Sequence, residues 1–313
     1  MKHLIATYGT ALAGALAVVF FMVFAPGFAS LDNLGNVLQD TAFLAILALG
    51  FTLALRVGEL DLSIAESASL AAVIGGWLVQ NEQPVALAAL AAVATGTLVG
   101  LANGLGVTLL RVPSLIMTLG SAAVAKGLSF MVTEGVAFVG KWPVAYTRLA
   151  RASVAGVPSL VLWLLGTALA AYALVAWTRT GAHMTATGEA PEAARLAGIR
   201  VPRIKVLGLA LAGALAGLTA LLLTASLSSA APNMAGDYLL YAIASVLLGM
   251  TMFEPGRPNV VGTVAAALIL KLLGNGLILM GAPYYIQDIV LGLVIVASVA
   301  VSASTLRKAA FSH

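Results

Sequence analysis

Long apolar runs recur along the whole chain and constrain it before any motif does. They fall near residues 4–24, 41–57, 62–79, 84–110, 113–132, 157–177, 206–229, 239–253, 260–280 and 289–304. A run of about 20 apolar residues is long enough to cross a bilayer. In hydrocarbon no water satisfies the peptide groups, so each run must close its own hydrogen bonds as a helix. The expectation is an all-α polytopic membrane protein of about ten transmembrane helices. Only 9% of the residues are charged, against about 25% in soluble domains. Ten spans leave little of the 313 residues outside the bilayer, so residues 1–313 read as one transmembrane domain. The first run, with Lys2 before it and Ala29 and Ser30 after it, superficially resembles a signal peptide. Its length and the prompt arrival of a second span favour an uncleaved first helix.

The basic residues set the orientation. With a cytoplasmic N-terminus, Lys2, Arg56, Arg111, Arg179, Arg195, Arg200, Arg203, Lys205, Arg257, Arg307 and Lys308 fall inside, eleven of the 16 Lys and Arg residues. Lys141, Arg148 and Arg151 fall outside, Lys126 and Lys271 within spans. An even number of spans then makes both termini cytoplasmic. The net charge of +4 follows this placement and points to no nucleic-acid partner.

A polar cytoplasmic loop, residues 178–205, interrupts the apolar chain. Within it, residues 187–201 read T-G-E-A-P-E-A-A-R-L-A-G-I-R-V, a short helix. Pro191 suits the first turn, Glu189 and Glu192 lie near the positive N-terminal end, and Gly198 closes it. A helix held at a membrane surface by flanking spans serves to dock a partner in water.

The chain also repeats itself. Asp61 precedes Ser69 by eight residues, as Asp237 precedes Ser245, and Asn103-Gly-Leu is answered by Asn275-Gly-Leu. The matched helices lie five spans apart, so the copies, spans 2–5 and 7–10, run in opposite directions. Transporters built from such inverted repeats place the solute path between the halves. Candidate path residues are therefore Asp61, Ser63, Asn103, Asp237 and Asn275. For Asp61 and Ser63 the other reading is a cap on the next helix. For the two asparagines it is interhelical hydrogen bonding. The Gly96, Gly100, Gly104 series and the Gly213, Gly217 pair read as close helix packing.

No catalytic or metal constellation emerges. There is no cysteine, and the three histidines are scattered. Residues 135–141, G-V-A-F-V-G-K, have phosphate-loop spacing, but Trp142 stands where a magnesium-binding hydroxyl belongs. The chain is expected to be a transport subunit, not an enzyme, without an ATPase site of its own.

Several of these stretches resemble one family, the membrane subunit of bacterial ribose-type sugar ABC importers, in the branched-chain amino acid/ribose permease superfamily. G-E-L-D-L-S-I-A from Gly58 to Ala65 is similar to the family's G-G-I-D-L-S-V-G. Asn103-Gly-Leu, with R-V-P-S-L-I-M-T-L-G from Arg111 to Gly120, resembles N-G-L with R-V-P-P-F-I-V-T-L-G. G-E-A-P-E-A-A-R-L-A-G-I from Gly188 to Ile199 resembles G-G-N-P-E-A-A-R-L-S-G-I. Val261-Gly-Thr, Asn275-Gly-Leu and Tyr284-Tyr-Ile-Gln resemble the closing section.

The resemblance implies an importer of the bacterial inner membrane. Two permease subunits, as a homodimer or a paralogous heterodimer, would work with cytoplasmic ATPase subunits and a periplasmic solute-binding protein. This chain would bind no cofactor; magnesium and ATP would sit on the partner ATPase. Glu189, Pro191, Glu192, Ala193, Ala194, Arg195 and Gly198 would form the ATPase-coupling helix, and the solute path would run between paired subunits. Glu134, Lys141, Arg148 and Arg151 would either dock the binding protein or merely solvate an outer loop. Glu59, Ala65 and the residues from Gly249 to Arg257 depart from the family pattern. They leave open whether the solute is a pentose, a hexose, a furanosyl signal molecule or a nucleoside. The competing class is an ion-coupled secondary carrier, which would transport without an ATPase; a membrane scaffold with no solute flux is the third.

Overall fold

The computed structural model describes residues 2–283 and 285–297, with side chains from Ala11 onward. Tyr284, the distal part of the last expected span, Arg307 and Lys308, and the side chain of Lys2 lie outside the described residues. The long helices are α1 (Lys2–Phe24), α2 (Leu31–Arg56), α3 (Ile64–Gln80), α4 (Val85–Leu109) and α5 (Ser114–Thr133). After a short α6 (Val144–Arg151) comes α7 (Ser159–Trp177); α8 (Arg179–Glu189) and α9 (Pro191–Leu196) then lead into α10 (Val201–Leu227). Finally come α11 (Tyr238–Gly249), α12 (Val260–Leu279) and α13 (Tyr285–Ala297). Six of these, α2, α4, α5, α7, α10 and α12, are long and apolar enough to cross a membrane. The apolar part of α1, together with α3, α11 and α13, forms four shorter apolar helices.

Several boundaries differ from the hydropathy reading. Helix α2 starts at Leu31, not near residue 41, because Ser30 Oγ accepts from the Asn33 N–H at 3.3 Å and caps it. Its polar first turns are good helix but poor lipid solvent, so hydropathy alone misses them. Helix α11 stops at Gly249, where the backbone closely approaches Gly262 at the start of α12. Beyond it, Asn259 gathers the turn: its amide donates to the carbonyls of Gly249, Met252 and Arg257 while its Oδ1 accepts from Gly262.

Helices α2 and α10 form the centre, with 83% and 67% of their apolar windows buried, against 17–39% for the other four spans. Helices α4, α3 and α2 pack on α10, and α12, α11 and α7 pack on α2. Backbone proximity explains the tightest of these contacts. A Cβ on Gly96 would strike the Gly213 carbonyl, one on Gly100 the Leu209 carbonyl, and one on Gly217 the Ala92 carbonyl. Without a hydrophobic drive between helices in lipid, association rests on such dispersion contact and on buried hydrogen bonds. Thr52 Oγ1 and Thr263 Oγ1, 2.8 Å apart, supply one between α2 and α12.

The phosphate-loop-like stretch has a structural explanation. Phe138–Val139 forms strand β1, which pairs antiparallel with β4 (Ser229–Ala230) at the end of α10; β2 (Ser153–Val154) and β3 (Val157–Pro158) make a second two-residue ladder. Helix α6 buries Tyr146 beside this pair, its hydroxyl 2.8 Å from Thr224 Oγ1, and Trp142 meets the Tyr146 ring edge-on. Burial pushes the Tyr146 hydroxyl up to about 12, so it stays a neutral hydrogen-bonding group.

Adding one methyl to the α4–α10 seam should be costly. Gly96→Ala and Gly213→Ala are each expected to destabilise the detergent-solubilised protein by about 1–3 kcal/mol. Gly120→Ala, on the same kind of helix but facing open space, should be neutral or slightly stabilising. Unfolding followed by tryptophan fluorescence compares the three.

Candidate functional site

The cytoplasmic-loop residues fold into two helices rather than one. Helix α8 ends at Glu189, Ala190 breaks the run, and α9 begins with Pro191 at its first position. Pro191 lacks an N–H that would be unpaired there anyway. Glu192 occupies the first turn and pairs with Arg195 at 2.7 Å; both are largely exposed, so the pair adds only tenths of a kcal/mol. Gly198, at φ +84°, closes the helix: its N–H reaches the Arg195 carbonyl and the Ile199 N–H the Ala194 carbonyl. Both bonds satisfy last-turn carbonyls in the pattern that a left-handed residue permits. Ala194 is buried, whereas Pro191, Glu192, Ala193, Arg195 and Leu196 are exposed, Leu196 at 86%.

Glu189 has a different place from the one expected. It terminates α8 instead of opening α9, and its carboxylate receives Arg257 twice, at 2.7 Å from Nε and 3.2 Å from Nη2. Arg56, at the end of α2, donates to Thr185 Oγ1 at 3.0 Å and to the Pro258 carbonyl. Three segments are thereby tied together: the C-terminal end of α2, the end of α8 and the turn before α12. A cleft of about 480 Å³ remains between them, lined by Arg56, Gly58, Glu189, Arg257 and Pro258. A second tie joins Lys205 at the start of α10 to the buried Glu59. The sequence showed Glu59 as one of two carboxylates, with Asp61, between apolar runs and as a departure from a motif; its partner lies 146 residues away, beyond the reach of any local pattern.

The five candidate path residues do not converge on one site. Asp61, Ser63 and Asn103 do meet, each buried to 1% exposure or less. Asp61 Oδ1 accepts from the Ser63 N–H at 3.0 Å and from Ser63 Oγ at 2.6 Å; Asn103 Nδ2 donates to Ser63 Oγ at 2.8 Å. Neither Asp61 nor Ser63 caps α3 through its side chain. Asp61 instead closes a turn just before the helix. Thr118 of α5 braces the same connection, receiving the Leu62 N–H and donating to the Leu60 carbonyl at 3.2 Å each. Burial pushes the Asp61 carboxyl up to about 6, against the two Ser63 hydrogen bonds, which favour the charged form.

Asp237 is exposed at the start of α11. Asn275 exchanges two 2.9 Å hydrogen bonds with Asn33 of α2, the interhelical role. It also borders a cavity of about 120 Å³ shared with Asp40, Tyr241, Lys271 and Gln287. Lys271 had a detectable signal, since an ionisable residue in mid-span is a functional candidate by default. Its partners come from three other helices and had none.

The family described as branched-chain amino acid transport system / permease component matches residues 33–299. The ribose import permease protein of Escherichia coli (strain K12) is 36% identical over 299 residues, covering 92% of this chain and 91% of that protein. The ribose import permease protein of Bacillus subtilis (strain 168) is 32% identical over 286 residues, with 91% and 88% covered. The galactose/methyl galactoside import permease protein of Escherichia coli (strain K12) is 31% identical over 306 residues, with 91% and 90% covered. No solved structure matches the chain.

The Asp61 cluster yields a pH prediction. A carboxyl whose folded-state pKa is raised stabilises the fold fully below its unfolded value near 4, and that contribution is lost as pH rises through about 6. Asp61→Asn keeps an acceptor for Ser63 and cannot ionise. The variant should therefore be more stable than the parent at pH 7.5, by on the order of 2–3 kcal/mol, with the advantage gone at pH 4. Thermal unfolding at both pH values measures the difference.

Proposed function

The chain belongs to the family of branched-chain amino acid transport system permease components, and from that premise we propose that it is the permease subunit of an ATP-binding cassette importer for a sugar or sugar-like solute. The relatives named for ribose and for galactose and methyl galactoside import support a sugar as cargo. The importer would sit in the bacterial inner membrane, receive solute from a periplasmic binding protein, and draw energy from magnesium-ATP on a separate ATPase.

The observation that carries this reading is α9. Its first three residues, Pro191, Glu192 and Ala193, face solvent with Arg195 and Leu196, leaving Ala194 as its inward anchor. An exposed leucine beside the charged Arg195 fits a groove on a protein partner, where both side chains can be desolvated together. Behind α9, Glu189–Arg257 joins the loop to the turn before α12 and Arg56–Thr185 joins it to the end of α2. A push on α9 would therefore reach α2 and α12 at once.

Ten spans with both termini cytoplasmic complete the proposal: the six long helices plus α1, α3, α11 and α13. An inverted repeat of spans 2–5 and 7–10 is supported by reciprocal packing. Helix α4 packs on α10 as α12 packs on α2, α3 on α10 as α11 on α2, and α3 on α4 as α11 on α12. Solute would pass between two permease subunits as they rock between inward and outward access.

Deleting residues 191–198, or introducing Glu192→Lys or Leu196→Asp, should release the ATPase while membrane insertion stays intact. For Leu196→Asp the expected loss is about 2 kcal/mol of binding. Co-purification from membranes co-expressing both subunits is the measurement; unchanged assembly after the deletion would remove α9 from the coupling role.

A further inference from the structure

We propose that the cavity lined by Asp40, Tyr241, Lys271, Asn275 and Gln287 is a contact site for hydroxyl groups of the transported solute within the permease. The proposal rests on the importer reading above and adds to it a location and a recognition chemistry. Lys271 lies eight residues from the end of α12 and Asp40 nine from the start of α2, depths of about 12 and 14 Å at 1.5 Å per residue. The Asn33–Asn275 hydrogen bonds put those two helix ends on the same side. Two opposite charges thus stand at similar distances from that end, Asp40 on the exposed side of α2 and Lys271 half-buried on α12.

Among the described residues neither charge is held in an ion pair within 4 Å, and the two share one cavity. The Lys271 ammonium lies over the rings of Tyr238 and Tyr241, 5.1 and 5.8 Å from their centroids. Such contacts offset only part of what removing an ammonium from water costs. Asp40 is exposed at the last polar turn of α2 before its apolar run begins, a position that lipid headgroups and water reach more readily than acyl chains do. Water or solute oxygens in the cavity make up the difference. The face is therefore wet and belongs to a path, not to the lipid boundary.

The wall chemistry selects the ligand class. Lys271 only donates and an ionised Asp40 only accepts, while the Asn275 and Gln287 amides do both. A hydroxyl also does both, so a neutral polyol satisfies all of them. An anion would meet Asp40 and a cation would meet Lys271. The aromatic face of Tyr241 offers a surface for the C–H side of a sugar ring. At about 120 Å³ the cavity takes several waters or one edge of a monosaccharide, which suits transient contact during passage.

The test uses the complete importer, with its ATPase and binding protein, in proteoliposomes loaded with ATP. Radiolabelled D-ribose and D-galactose are the probes. Lys271→Met and Gln287→Leu should each lower uptake about tenfold, the equivalent of one lost hydrogen bond to a charged or buried group. ATP hydrolysis and ATPase co-purification should stay within about twofold of the parent, so solute moved per ATP falls. Lys271→Arg should recover most of the uptake, and Lys126→Met, at a more exposed lysine, should leave it unchanged. Parental uptake by both variants overturns the site, as does a loss of uptake matched by equal loss of assembly and hydrolysis. Import of neither sugar by the parent overturns the sugar reading itself; with import intact, a change in Trp and Tyr fluorescence on adding millimolar ribose to the permease, lost in Lys271→Met, supports the site, and the same change in Lys271→Met overturns it.

Discussion

Everything in this protein is arranged around the contact between α4 and α10, where two backbones touch because glycines leave nothing between them. In water such proximity would be one contribution among many. In a bilayer the lipid tails are as apolar as leucine, so leucine-on-leucine contact gains little over leucine-on-lipid. Dispersion between closely approaching backbones becomes decisive, and it needs Gly96 and Gly100 opposite Gly213 and Gly217. With α10 locked to α4, α2 can pack along its other side, and α7, α11 and α12 then pack on α2.

Polar groups occupy the places this apolar scaffold leaves at its two ends, and they differ in kind. At the end carrying α9 most charges are paired, Glu59 with Lys205, Glu189 with Arg257 and Arg56 with Thr185 and Pro258, while Thr187 Oγ1 and Asn103 Oδ1 stay buried without a partner among the described residues. Paired groups hold geometry, which suits the coupling surface proposed above. At the end carrying Asn275, the Asn33–Asn275 bridge is the saturated element, and among the described residues Asp40 and Lys271 beside it form no ion pair within 4 Å. Unsaturated groups at depth attract water and polar solute.

What could be read from the chain follows from how local each cause is. Hydrocarbon demands long apolar helices, so the principal helices showed in the sequence. The glycine series showed because its period matches one helix face, and α9 showed because Pro191 and Gly198 punctuate it. The break at Ala190 did not, since in the run from Thr187 to Arg195 Gly188 lies two residues before it without ending α8, and Pro191 also suits a helix start. Helix α2 was read ten residues short because hydropathy registers solvent preference and not capping. The pairing of Glu59 with Lys205 and the gathering of Asp40, Lys271 and Gln287 arise from tertiary approach. No spacing rule encodes those.

The two ends communicate through α2, and its length sets the manner. Its 26 residues extend about 39 Å, from Asn33 at the polar-cavity end to Arg56 at the α9 end. Its middle is almost wholly buried, and close-packed interiors shift between discrete arrangements instead of deforming continuously. Displacing α9 would therefore pull Arg56 and Arg257 together and move α2 as a rod against α10. The Thr52–Thr263 hydrogen bond ties α12 to the same rod. Asp40 rides on α2 and Lys271 on α12, so a shared displacement carries both cavity walls along, whereas slippage between the helices would part the charges. The strength of that threonine bridge, roughly 0.6 kcal/mol for such bonds in membranes, is small enough to break and re-form within one transport cycle. The same rod can thus either carry the cavity intact or open it, depending on how firmly α9 is held.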